Sequence, residues 1–238
     1  VANIIEVSGV EKTYGGNFTL RDINLNIKEG SVFALLGLNG AGKTTLVKLM
    51  LNLLNVDRGT LSINGINVLE AKSRKNVAFI PEKFSFFSFY TVYGALEFFG
   101  QMKGLEGAEL ESQINQAMND LNIFNLRDRK IKTLSKGQMQ RIGLCNLIIG
   151  NNNLLILDEP FSGLDPIGMS DLRDLIRKLK SEGKTIFMNS HILSEMEQIC
   201  DEVAIIHDGV IKVQKPVSEI LNEFKSLEDF FTHIIPRN

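Results

Sequence analysis

Cysteine is nearly absent from this 238-residue chain, and neither sign of charge is in excess. Each shortage removes a class of protein. The two cysteines, Cys145 and Cys200, lack metal-ligand spacing and are too few for a disulfide framework. Both read as reduced packing residues. Lys plus Arg number 26 and Asp plus Glu 28, a formal net charge of -2. No basic excess marks nucleic acid as a partner, and none is expected. No run approaches the roughly 18 apolar residues of a membrane-spanning helix. The first residues show no basic segment followed by an apolar one, so no secretory signal is expected. A membrane role is therefore expected to be peripheral. Internal repeats and low-complexity segments are also missing. What is present is 44% hydrophobic content, enough for one well-buried core or two closely joined subdomains.

One stretch stands out. Residues 37–45 read GLNGAGKTT and fit the phosphate-loop pattern G-x-x-x-x-G-K-[ST], with Gly37, Gly42, Lys43 and Thr44 in the fixed places. Glycine lets a backbone turn tightly and approach an anion. Successive N–H groups of Leu38, Asn39, Gly40, Ala41, Gly42 and Thr45 can then line one concavity. A following helix presents its positive end to the same anion. Lys43 supplies a charge near the β and γ phosphates, and the Thr44 hydroxyl can ligate magnesium. Context agrees: SVFALL upstream is a buried-strand run, and residues 45–54 downstream are rich in leucine at helical spacing.

The chain on either side reads as mixed α/β. Residues 3–7, 18–20 and 23–27 are expected strands, and Asn64-Gly65 marks a hairpin within 60–68. Residues 77–80 form a short strand ended by Pro81. From about 83 to 150 the spacing turns helical, over 92–102 and 110–121, with Gly100, Gly104 and Gly107 breaking the two. This is expected to be a helical subdomain inserted into the core. Residues 153–157 are a buried strand, Asp165-Pro166 opens a helix, and Gly183 ends it. Residues 185–188 lead to His191. Residues 203–206 and 210–213 form a hairpin at Asp208-Gly209. One or two short amphipathic helices follow Pro216.

The strand that ends in Asp158-Glu159 holds two carboxylates at the sheet edge where phosphate-loop folds bind ligands. Asp158 suits the shell of a magnesium ion. Glu159 is placed to orient or deprotonate an attacking water. Residues 133–141, TLSKGQMQR, offer Ser135 as an N-cap and Gly137 for close backbone access at a second helix start. Alone, that second signal is weak.

Together these motifs resemble those of the ATP-binding cassette ATPases, over residues of about 4–215. LSKGQ, with Ser135, Gly137 and Gln138, is similar to the LSGGQ signature. Residues 37–45 match the first Walker motif and LLILDE, 154–159, the second with its glutamate. Tyr14 matches the aromatic that stacks on adenine, SGLD at 162–165 the D-loop, and His191 the switch histidine at the γ-phosphate. His207 and His233 match nothing and read as surface residues. The resemblance implies a phosphate-loop ATPase core with an antiparallel β subdomain and an inserted helical subdomain near 83–150. The nucleotide-binding domain would span 1–215 and a short helical tail 216–238. It implies ATP and Mg²⁺ at Lys43, Thr44 and Asp158, and two copies packed head to tail. Ser135 and Gly137 would then serve the partner's ATP. It also implies a separately encoded multi-span membrane permease, with this chain on the cytoplasmic face of the membrane.

Three positions depart from the family pattern. Leu38 replaces a common proline, and Lys136 replaces the first central glycine of the signature. Glu82, in FIPEKF, stands at or beside the usual glutamine, where a carboxylate can still ligate magnesium. The IPE form, and a tail ending SLEDFFTHII, resemble ATPase subunits of two-component exporters for drugs, lipids or polysaccharides. The aromatic run FSFFSFY at 84–90 either packs inside the helical subdomain or borders the groove for the membrane subunit. The alternative is a soluble cassette ATPase uncoupled from transport. The long coiled coil of repair members and the tandem cassettes of translation factors are both missing. Regulatory cassettes usually lose the glutamate or histidine, and this chain keeps Glu159 and His191.

Overall fold

A computed structural model describes residues 2–15 and 17–235. Two sheets form the frame. The first is antiparallel, in the order β2-β1-β4-β5, from β1 (Asn3–Tyr14), β2 (Asn17–Lys28), β4 (Arg58–Ile63) and β5 (Ile66–Asn67). The second has the order β10-β9-β3-β8-β7-β6. It holds β3 (Val32–Leu36), β6 (Val77–Ile80), β7 (Leu154–Asp158), β8 (Thr185–Ser190), β9 (Glu202–His207) and β10 (Val210–Pro216). All neighbours in it pair in parallel except the β9-β10 hairpin.

The strands of the second sheet are apolar throughout because both faces are covered. Alternate residues serve different cores. Phe33, Leu35, Leu154, Ile156 and Phe187 face the antiparallel sheet and helix α1 (Lys43–Met50). The rings of Phe33 and Phe187 stack there, 5.9 Å apart. Val32, Ala34, Leu36, Leu155, Leu157, Ile186 and Met188 face the other way. That second core takes in helices α2 (Val92–Met102), α3 (Gly107–Asp120), α4 (Lys136–Ile148), α5 (Pro166–Ser181) and α6 (Leu193–Ile199). Helix α7 (Val217–Glu223) packs against β10 and α8 (Leu227–Ile234), and α8 against α6. No described helix is long and apolar enough to cross a membrane.

Several boundaries differ from the sequence expectation. Residues 18–20 and 23–27 belong to one strand, β2, bent by a bulge around Asp22, whose φ is 44°. Helix α1 stops at Met50, and Asn52 turns the chain with a φ of 53°. Leu53 therefore lies outside the helix and is exposed. Gly100 sits inside α2 and is buried, while Gly104, at φ 82°, makes the turn to α3. The aromatic run divides. Phe84 and Phe86 pack against the helical core, whereas Phe87 and Phe89 are exposed and stacked 5.7 Å apart.

Gly143 sets how closely α4 approaches β6. A Cβ there would lie 2.3 Å from Phe84 Cζ and 2.7 Å from Ile80 Cδ1. Overpacking costs about 1–3 kcal/mol, against about 1 kcal/mol of helix propensity gained. Gly143→Ala is expected to be destabilising by up to about 2 kcal/mol. A urea titration reads this as a lower midpoint at unchanged slope.

Candidate active site

Strands β3, β6, β7 and β8 all end at one edge of the sheet, and each delivers part of the site there. Crevices at the carboxyl ends of parallel strands are where such sheets bind ligands. From β3 the chain enters the glycine loop. Gly42 is the N-cap of α1 at φ 109°, and a Cβ there would lie 2.6 Å from Leu20 Cδ2, so only glycine fits. Lys43 begins α1 and is 7% exposed. Its Nζ donates to the carbonyls of Gly37 at 2.8 Å and Leu38 at 3.3 Å. Burial pulls the Lys43 ammonium below its ordinary pKa, against the opposing pull of Glu159, Asp158 and Glu82.

From β7 come the two carboxylates. Asp158 is buried, with Oδ2 accepting from the Thr44 hydroxyl at 3.3 Å and Oδ1 from Asn189 Nδ2 at 3.0 Å. Glu159 takes a left-handed backbone, φ 50°, which is uncommon for a residue with a side chain. Its N–H is held by the Asn189 carbonyl at 3.0 Å. Its Oε1 lies 3.8 Å from Lys43 Nζ, and its Oε2 lies 2.8 Å from His191 Nδ1. His191 follows β8 and is half exposed.

Lys43, Thr44, Glu159 and His191 line a cavity of about 250 Å³, and Asp158 and Asn189 lie outside its wall. Its walls include Asn39, Gly40, Gly42, Lys43, Thr44, Thr45, Glu82, Glu159 and His191, together with Thr19 and Ser162. Two carboxylates, Glu82 and Glu159, thus share the wall with one amine, while the buried Asp158 is not on the wall and reaches it through its hydrogen bond with Thr44. Thr44, Asp158 and Glu82 offer only oxygen donors, the set a hard cation prefers.

Other expected residues lie elsewhere. Within the loop Ala41 is buried and the Leu38 side chain is exposed. Tyr14 is exposed at the end of β1, with the Lys12 amine 5.7 Å from its ring centre, and is not part of the cavity wall. Ser135, Gly137 and Gln138 line a second cavity, about 430 Å³, with Gly163 and Asp165. It shares no lining residue with the first. Ser135 and Gln138 form a reciprocal cap on α4: Gln138 N–H donates to Ser135 Oγ at 3.2 Å and Ser135 N–H to Gln138 Oε1 at 3.0 Å. Sequence reasoning missed Gln140, whose Nε2 donates to the Pro160 carbonyl at 3.2 Å, beside Glu159. It also missed Asn189, although an amide directly after the apolar residues Ile186, Phe187 and Met188 is a visible signal.

A family model described as ABC transporter matches residues 20–162, more than half of the chain. The chain belongs to this family. It is the ATP-binding, ATP-hydrolysing subunit of an ABC transporter. This ABC ATPase is 35% identical over 232 residues to the lantibiotic transport ATP-binding protein SrtF of Streptococcus pyogenes, covering 98% of this chain and 97% of that one. It is 35% identical over 230 residues to the bacitracin transport ATP-binding protein BcrA of Enterococcus faecalis, covering 95% and 74%. A solved structure described as the ATP binding subunit of an ABC transporter superposes at a TM-score of 0.89 with 29% identity, covering 97% and 99%. CbiO1 of Clostridium perfringens, described as part of the ABC transporter complex cbiONQ, gives 0.85 with 28% identity, covering 100% and 97%.

The ABC ATPase should lose nucleotide before it loses its fold when the loop amine is removed. Lys43→Ala is expected to weaken ATP binding by about tenfold or more, the scale of a charge-assisted contact. Fluorescent-nucleotide titration measures this, with an unchanged melting midpoint as the control.

Proposed function

We propose that this ATPase powers an exporter. Two copies close on ATP, and a separate membrane permease carries the substrate. The carrying observation is the split of the machinery into two cavities with no shared wall. The Lys43–Glu159–His191 contacts lie in one, and the capped N-terminus of α4 lies in the other. A head-to-tail pair brings the second cavity of one copy over the first cavity of its partner. Ser135 and Gly137 then meet the partner's ATP, with Gln138 holding the helix end in shape. In this reading residues 1–215 form the nucleotide-binding domain, with the helical part near 83–150, and 216–238 form the tail.

Each side chain has a distinct task. Lys43 and the N–H groups of the glycine loop bind the β and γ phosphates. Thr44 and Asp158, with Glu82 of the cavity wall, would hold Mg²⁺, which when bound offsets phosphate charge. Glu159 accepts the proton of the attacking water. His191, hydrogen-bonded to Glu159 through Nδ1, orients that carboxylate and faces the γ-phosphate with its other nitrogen. Tyr14, exposed at the end of β1, stacks on adenine. The relatives named for lantibiotic and bacitracin transport support the exporter reading. The exposed pair Phe87 and Phe89, on the segment just after Glu82, supports docking of the permease there. The chain then works as a peripheral subunit at the cytoplasmic face of the membrane.

Two measurements test this. Glu159→Gln should retain ATP and hydrolyse it roughly 10²-fold or more slowly. Light scattering should then show an ATP-dependent dimer. Near-normal turnover would remove Glu159 from its role. Affinity capture of the same tagged variant from detergent-solubilised membranes should bring down a multi-span membrane protein. Recovery with a soluble assembly alone would leave the ATPase standing and the exporter reading wrong. In that capture, Phe87→Ser with Phe89→Ser should release the membrane protein while ATP affinity holds. Phe86 is unsuited to this test because its ring packs against Phe84 and Phe99.

A further inference from the structure

Asn189 is fully buried at the end of β8, directly opposite Asp158 in the parallel register. Its amide faces Asp158 Oδ1 at 3.0 Å. An ionised carboxylate only accepts hydrogen bonds, so the atom that faces it is the amide nitrogen. The other end of that amide, Oδ1, has no hydrogen-bond partner among the described residues. A buried acceptor without a partner is destabilising. Valine or leucine would fill this place in the sheet without that cost. Asparagine is therefore of use here for its one donor.

That donor sorts the two oxygens of Asp158. Oδ1 is engaged by Asn189, and Oδ2 is engaged by the Thr44 hydroxyl at 3.3 Å. The terminal torsion of an aspartate is otherwise broad. Without the amide, Oδ1 would be buried and unpaired, and rotation of the carboxylate toward the cavity would relieve it. The same residue acts on the next one as well, since its carbonyl holds the Glu159 N–H at 3.0 Å.

We propose that Asn189 is a positioning residue that fixes the plane of the Asp158 carboxylate, so that Oδ2 alone faces Thr44 and the divalent cation. The proposal rests on the metal role given above to Asp158. Outer-shell hydrogen bonds of this kind are worth roughly 10- to 100-fold in metal affinity.

The test uses Mn²⁺ as the probe, titrated by electron paramagnetic resonance into the full chain with a non-hydrolysable ATP analogue. Asn189→Leu keeps the approximate shape and removes the donor, and Asn189→Ala removes it without crowding. Both are expected to weaken Mn²⁺ by about tenfold or more. Affinity for the analogue in EDTA, and the melting midpoint, should stay near wild type. Unchanged Mn²⁺ affinity in both variants, with loss in Asp158→Asn, overturns the role of Asn189 alone. Unchanged affinity in Asp158→Asn overturns the metal role of Asp158 and this proposal with it. A parallel fall in Mn²⁺ affinity, metal-free analogue affinity and melting midpoint makes Asn189 merely structural, which also overturns the proposal.

Discussion

Two adjacent carboxylates, Asp158 and Glu159, must stay beside one buried amine at the end of a strand that is closed on both faces. Like charges this close repel, and burial disfavours each of them. The fold meets this with fixed donors. Asn189 and Thr44 serve Asp158, and His191 and Lys43 stand beside Glu159. All four come from segments that the parallel sheet brings to one edge. Glu159 also carries a left-handed backbone, and its side chain meets Lys43 of the loop and His191. Strain of this sort persists only where the surroundings over-determine it. Here the Asn189 carbonyl and the turn to Ser162 do so.

The helical layer is tied to this edge by polar contacts as well as packing. Gln140 of α4 reaches the Pro160 carbonyl, and Arg141 pairs with Asp171 of α5 at 2.6 Å. Lys178 of α5 pairs with Asp120 at the end of α3, also at 2.6 Å. A shift of α4 would therefore be felt one residue from Glu159. These contacts form a contiguous chain of polar and packed groups from α3 and α5 to the segment that carries Glu159.

Much of this was legible in the sequence, for local reasons. Short apolar runs such as 31–36 and 153–157 read as buried strands because no polar face is needed between two cores, and β3 and β7 lie there within a residue. Ser135 and Asp165 announced their helices as side-chain caps, and Asn64-Gly65 and Asp208-Gly209 announced their turns. What escaped was set by distant partners. Asp22 reads as a break between two strands, yet the partner β1 absorbs the bulge and keeps β2 whole. Leu53 counts toward a helix by spacing, but the chain turns at Asn52 first. The aromatic run has no clean period, so its division into packed and exposed rings depended on where α2 and α4 lie. Asn189 meets Asp158 only because β7 and β8 are neighbours in register, which no local pattern encodes.

The two cavities share no residue, and on the head-to-tail reading this has a consequence for mixtures of chains. A copy damaged in one cavity carries an intact version of the other. Paired with a copy damaged in the opposite cavity, it restores one whole site and spoils both halves of the other. Two alleles, each inactive alone, could then complement one another within a single assembly, and the activity recovered would depend on how the copies assort.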